Sequence, residues 1–190
     1  MSFDLKRYTI RRKVFQFLGA AFHIYDPSGA IIGYSKQKAF KLREDIRIYA
    51  DETMAEELIT IKARQIIDFS AAYDFVDSRE SRKVGAARRK GFASILRDSW
   101  EILDENDRPV ARVTEDSMAL ALVRRFLANL IPQGFSVVSV DGRKEAEIRQ
   151  RFNPFILKLD VRLESGASID PRLILGTAVL LAAIEGRQSQ

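Results

Sequence analysis

The stretch that most constrains this chain is Asp170-Pro171-Arg172, followed by LILGTAVLLAAI and then Glu185-Gly186-Arg187. It reads as one helix, 171–185, apolar on every side. Asp170 can cap the first free N–H groups, and Pro171 suits the first helical position, where a missing N–H costs nothing. Gly186 is expected just past the end. Such a helix offers no face to water, so it must lie inside protein or inside lipid. About fifteen residues span ~22 Å. Its uncharged part is the twelve residues Leu173 to Ile184, against the ~20 that a membrane crossing needs. Gly176 and Thr177 weaken the lipid reading further, and Arg172, Glu185 and Arg187 hold both ends in water. The favoured reading is a core helix sleeved by the rest of the chain, with a tail anchor as the rival.

The sleeve is legible in three similar segments, 24–49, 75–103 and 137–161. Each begins with a short apolar strand and a polar turn: Asp26-Pro27-Ser28-Gly29, Asp77-Ser78-Arg79 and Asp141-Gly142. In such turns Pro presets φ, Asp bonds nearby backbone and Gly accepts a positive φ. After the turn come a small residue (Gly33, Gly85, Ala146), a basic cluster, a phenylalanine and a second strand. Further strands are expected at 8–18, 58–62, 66–75 and 110–114, with a hairpin turn at 104–109 and a solvated loop or single helical turn at 51–57. Short strands with regular turns predict a closed antiparallel sheet rather than βαβ alternation. One amphipathic helix is expected over 117–129, where apolar residues fall at 118, 119, 122, 123, 126 and 127. At 190 residues the chain is expected to form one domain, 1–190.

Certain stretches, in order, carry a resemblance. They are Phe15-Gln16-Phe17-Leu18 leading to Ile24-Tyr25-Asp26, Gln37-Lys38-Ala39-Phe40-Lys41-Leu42, and Val76-Asp77. Arg97-Asp98-Ser99-Trp100-Glu101 and Phe155-Ile156-Leu157-Lys158-Leu159, feeding the final helix, complete the set. With the terminal helix, the chain resembles the tubby C-terminal-like superfamily, which includes tubby proteins, phospholipid scramblases and LURP-one-related proteins. The resemblance implies a mainly β fold, a twelve-stranded barrel around a central helix. The chain lacks the cysteine-rich, proline-rich and acidic calcium-binding segments of scramblases and the N-terminal regulatory region of tubby proteins, so scramblase activity is not carried over. The LURP-one-like members are the nearer comparison.

Composition limits the chemistry. There is no cysteine and a single histidine, His23, which excludes disulfides, thiolate catalysis and Cys-ligated zinc and leaves little for a histidine metal site. His23 lies in an expected strand and is read as structural. Adjacent carboxylates such as Glu44-Asp45, Glu56-Glu57 and Glu115-Asp116 point to opposite faces of a strand. With no phosphate loop or metal-ligand spacing, no catalytic residue, metal or cofactor is assigned and no enzyme is expected. No signal-peptide core opens the sequence, so a cytoplasmic location is expected, peripheral to a membrane at most.

The formal charge is +5 and unevenly spread: residues 1–49 hold ten Lys/Arg against four Asp/Glu, and residues 50–80 hold three against eight. Lys36, Lys38, Arg88, Arg89, Lys90, Arg124 and Arg125 are the candidate anion-binding residues. If the repeated units were adjacent, these clusters would converge on one wall and attract anionic headgroups at about 1 kcal/mol per residue. Solvated strand faces that discourage edge pairing are the bland alternative. The resemblance favours lipid, because tubby domains recognise phosphoinositides through basic residues. A protein-interaction module and nucleic-acid association are the rival readings.

Overall fold

The computed structural model describes residues 5–13, 20–37, 45–64, 72–89, 99–116, 133–153 and 156–188. The strands are β1 (Arg7–Arg12), β2 (Ala21–Tyr25), β3 (Ile31–Gln37), β4 (Asp45–Tyr49), β5 (Glu57–Ala63) and β6 (Ala72–Asp77). They continue with β7 (Arg82–Arg89), β8 (Ser99–Leu103), β9 (Pro109–Glu115), β10 (Gly134–Ser139), β11 (Lys144–Gln150) and β12 (Lys158–Leu163). A single described helix follows, α1 (Pro171–Gln188). Each strand pairs antiparallel with its sequence neighbours, and β1 closes the barrel onto β12. The amphipathic helix expected over 117–129 and the strand residues expected at 14–18 and 66–71 lie outside the described residues.

The terminal helix is the core of this barrel. Ile174, Ala178, Val179, Leu180 and Ala182 are fully buried, among the inward residues Ile24, Ile48, Phe75, Ile102 and Val137. Its start follows the expected chemistry, with Asp170 Oδ1 accepting the N–H of Arg172 at 2.9 Å. Its end does not: the helix runs through Gly186 to Gln188. An isolated glycine costs a helix about 1 kcal/mol, which tertiary packing readily overrides. Among the described residues no helix is long and apolar enough to cross a membrane.

Five hairpins share one device. The register shifts by a residue just before the turn, at Ile24/Tyr25, Ile48/Tyr49, Phe75/Val76, Ile102/Leu103 and Val137/Val138. Bulges bend and twist a strand, which helps a sheet to close. The extra residue after the turn is Ile32, Leu58, Val84 or Val110 in four hairpins and Glu145 in the fifth. Asp at the turn works as expected: Asp26 Oδ1 accepts N–H groups of Ser28 and Ala30 at 2.8 and 2.9 Å, and Asp104 Oδ1 those of Asn106 and Arg108. Most of the acidic stretch at 51–57 is the β4–β5 connection, in which Asp51 accepts the N–H of Thr53, and its last residue, Glu57, opens β5.

Two polar contacts lock the helix entrance. Buried Glu145 accepts the N–H and hydroxyl of Ser168 at 2.6 and 3.0 Å. Arg172 donates to Asp77 at 2.8 Å and to Asp170 at 2.6 Å. A cation in the first helical turn opposes the helix dipole, and these two carboxylates offset that. Burial alone would push the Asp77 carboxyl up; the Arg172 guanidinium and the N–H groups of Glu80 and Arg79 more than offset this and hold it below the usual carboxylate range. Its contribution to stability is therefore full above the ~3.9 of an unfolded aspartate and is lost as pH falls through the folded-state value. Asp77→Asn is expected to cost about 2–3 kcal/mol, less than the loss for a fully buried pair because Arg172 keeps Asp170. Urea midpoints measured between pH 3 and pH 7 should fall with acid less steeply in the variant than in the wild type.

Candidate functional site

The up-and-down order puts alternate connections at opposite ends of the barrel. At the end where the helix enters, the connections are 26–30, 50–56, 78–81, 104–108, 140–143 and 164–170. By sequence they hold eleven Asp/Glu against three Lys/Arg. The connections at the other end, beginning with Lys13, Lys38, Arg64, Lys90, Asp116 and Arg151, hold ten Lys/Arg against four Asp/Glu. In the sequence, the two sets of connections thus carry opposite net charge. The helix dipole, positive at its N-terminus, opposes that separation and matches the charge at each end.

Of the candidate residues drawn from the sequence, Lys36 and Arg88 lie toward the basic end but not on one wall. Lys36 lies on β3 opposite Arg47, and Arg88 on β7 opposite Glu101. Three strands stand between β3 and β7, so four steps of ~4.8 Å set them ~19 Å apart around the sheet. The repeated units are not adjacent, so Lys36 and Arg88 do not converge on one wall. Arg88 also donates to the buried Glu101 at 2.7 Å. Arg89 alternates onto the inner face shared by Gly85 and Ala87, opposite the buried Trp100. Lys38, Lys90, Arg124 and Arg125 lie outside the described residues.

A second basic surface, absent from that set, covers the outer wall of β1, β12 and β11. Arg7 stands directly opposite Arg162, and Arg11 directly opposite Lys158. Like charges so placed destabilise a sheet by about 0.2–1 kcal/mol per pair, and no ion pair to any of the four is found among the described residues. Between these pairs lies Thr9 opposite Asp160, with Thr9 Oγ1 donating to Asp160 at 2.8 Å. Arg149 and Arg151, about two-thirds exposed, flank this row; Arg149 donates to Glu147 at 2.6 Å and Arg151 to Asp160. Arg7, Thr9, Arg149, Arg151, Asp160 and Arg162, with Glu147 among them, line a groove of about 400 Å³. Alternation in Lys158-x-Asp160-x-Arg162 is visible in sequence, but the pairing with Arg7 and Arg11 joins residues about 150 positions apart.

Other places offer less chemistry. A cavity of about 480 Å³ beside the helix entrance is lined by Val84, Val110 and Leu173 with Asp104, Glu105 and Asp141. Its acids are engaged: Asp104 by its own turn, Glu105 by Arg82 and Asp141 by Arg143. His23 sits on the outer wall against Tyr34, with Nε2 bonded to Glu52, which also accepts from Lys13 at 2.8 Å. No nucleophile joins this cluster. Among the described residues no group of three or more His, Asp or Glu is placed to hold a metal.

A closed twelve-stranded antiparallel barrel around its own C-terminal helix defines a tubby-like domain. The family model described as LURP-one-related matches residues 31–182, and the chain belongs to that family. The comparison with curated proteins returned no match.

Proposed function

We propose that this barrel is a non-catalytic, cytoplasmic module, one domain over 1–190, that binds peripherally to membranes rich in anionic phospholipid. The axial charge separation carries the reading. An anionic surface attracts nearby Lys/Arg at about 1 kcal/mol each, and a barrel basic at one end and acidic at the other approaches it basic end first. Lys36 on β3 and Arg88 and Arg89 on β7 lie toward that end; in the sequence Lys38 and Lys90 follow directly on those strands, and Arg124 and Arg125 fall between β9 and β10. The open cation among the described ones is Lys36, since Arg88 already serves Glu101.

Sedimentation with phosphatidylcholine vesicles, with and without phosphatidylserine or phosphoinositide, tests this. The expected result is pelleting that requires the anionic lipid and fades with salt. Lys36→Glu/Lys38→Glu should weaken partitioning roughly 30-fold or more, at about 1 kcal/mol per cation removed. Absence of pelleting at low salt overturns the reading. In that case a shift of DNA mobility by the wild type would favour nucleic acid, and failure of both assays a protein partner.

A further inference from the structure

We propose that the cavity beside the helix entrance docks a basic segment of a partner protein, one that carries a large apolar side chain beside Lys or Arg. The cavity opens between the β8–β9 turn, the β10–β11 turn and the start of α1. Its floor is apolar: Val84, Val110, Ile169 and Leu173. Val84 and Val110 are the extra residues of two bulged hairpins, so the device that bends the sheet also supplies this floor. A volume of about 480 Å³ falls within the ~300–1,000 Å³ of ligand sites. An apolar anchor seated in such a pocket is what commonly dominates a protein interface.

Two features of the rim name the occupant. The first is Val140. Four turns at this end close in the same way, at Asp26–Gly29, Asp51–Met54, Asp104–Asp107 and Ser139–Gly142. Their second residues are Pro27, Glu52, Glu105 and Val140. Turn chemistry favours Pro or a polar residue there, yet Val140 stands 69% exposed at the mouth of the cavity. The second feature is charge. Four carboxylates line the mouth, Asp104, Glu105, Asp141 and Asp170, against one cation, Arg143. Asp141 and Asp170 are held by Arg143 and Arg172. Asp104 accepts only neutral N–H groups of its own turn, which leave its charge in place. Glu105 meets Arg82 at 3.3 Å with both side chains about half exposed, a pairing that holds weakly. The connections of this whole end carry eleven Asp/Glu against three Lys/Arg, so a cationic segment is drawn in and an acidic one repelled. The helix N-terminus does not invite an anion, because Asp170 already takes the N–H groups of Arg172 and Leu173. Strand addition is closed to a partner, since the barrel has no free edge.

Methyl NMR of the full chain, titrated with the blocked peptide acetyl-Gly-Arg-Phe-Arg-Gly-amide, tests the proposal. The expected result is saturable shifts centred on the methyl groups of Val84, Val110, Val140 and Leu173. A peptide with Ala in place of Phe should bind at least about tenfold more weakly, and one with Glu in place of both Arg should leave the methyls unmoved. Val140→Ser and Asp104→Asn/Glu105→Gln should each weaken binding at least about fivefold. Both variants should melt near the wild-type temperature, because Val140 is exposed and Asn keeps an oxygen for the turn N–H groups; weaker binding with retained stability is what a merely structural role does not produce. Unmoved methyls, equal affinity for the Phe and Ala peptides, or wild-type affinity in either variant overturns the proposal. If diluting the protein alone moves the same methyls, the cavity holds a second copy of the chain and the proposal also falls. Lys36→Glu/Lys38→Glu, at the opposite end of the barrel, should leave the titration unchanged, so the membrane reading stands or falls separately.

Discussion

A chain ending at Ile169 is expected not to fold. Deleting α1 removes six large buried side chains: Leu173, Ile174, Leu175, Val179, Leu180 and Leu181. At about 1.5–3 kcal/mol each their burial contributes about 9–18 kcal/mol, which matches or exceeds the ~5–15 kcal/mol of a whole domain. The inner faces of all twelve strands would meet water or collapse on one another. Circular dichroism and proton NMR of the 1–169 fragment should show no cooperative transition and no dispersed methyl signals. A soluble, folded fragment would show that the helix is an accessory. Supplying the peptide 170–190 in trans should restore part of the signal, since the missing element is a packing partner rather than a covalent constraint.

Gly85→Ala has the largest expected effect of a single substitution. A Cβ at this position would lie 2.2 Å from the carbonyl oxygen of Leu103 and 2.8 Å from a methyl of Leu173. Strand β7 therefore passes its neighbour and the helix at a distance that only glycine allows. Overpacking usually costs about 1–3 kcal/mol, and more where the obstacle cannot move. Here it is backbone, so a loss of at least about 3 kcal/mol is expected in urea denaturation. Trimming the helix side should not rescue it: Gly85→Ala/Leu173→Ala remains destabilised, because the nearer contact is Leu103. Wild-type stability in Gly85→Ala would mean that β7 and β8 shift freely. Gly176 plays the same part from the helix, where an added Cβ would approach the Phe75 ring to 3.1 Å.

Much of this arrangement could be read from local pattern. Asp170 and Pro171 mark the helix start, and the uninterrupted apolar run that follows demands a sleeve. Asp26, Asp77 and Asp104 mark turns by a mechanism that operates within four residues. What stayed hidden is set by contacts distant in sequence. The bulge that repeats in five hairpins is a matter of register, and a one-residue shift leaves no compositional trace. The three similar segments suggested neighbouring units, yet β3 and β7 are four strands apart, because β4, the second strand of the first segment, and then β5 and β6 stand between them. The arginine groove escaped for the same reason. Arg7 and Arg11 look like ordinary charges on an edge strand until closure sets them against Arg162 and Lys158.

Barrel closure also dictates when this protein can come into being. During synthesis β1 emerges first, but its partner β12 follows about 150 residues later and α1 after that. At ~5–20 residues per second, β1 waits roughly 8–30 s with Tyr8 and Ile10 uncovered. Hairpins from β2 to β11 can form meanwhile, but none has an interior to pack against. The nascent chain is therefore an open, curling sheet with two free edges, the form most prone to pair with another chain. Folding of this barrel waits for the emergence of α1, and its yield in a cell rests on whatever shields that sheet until the helix arrives.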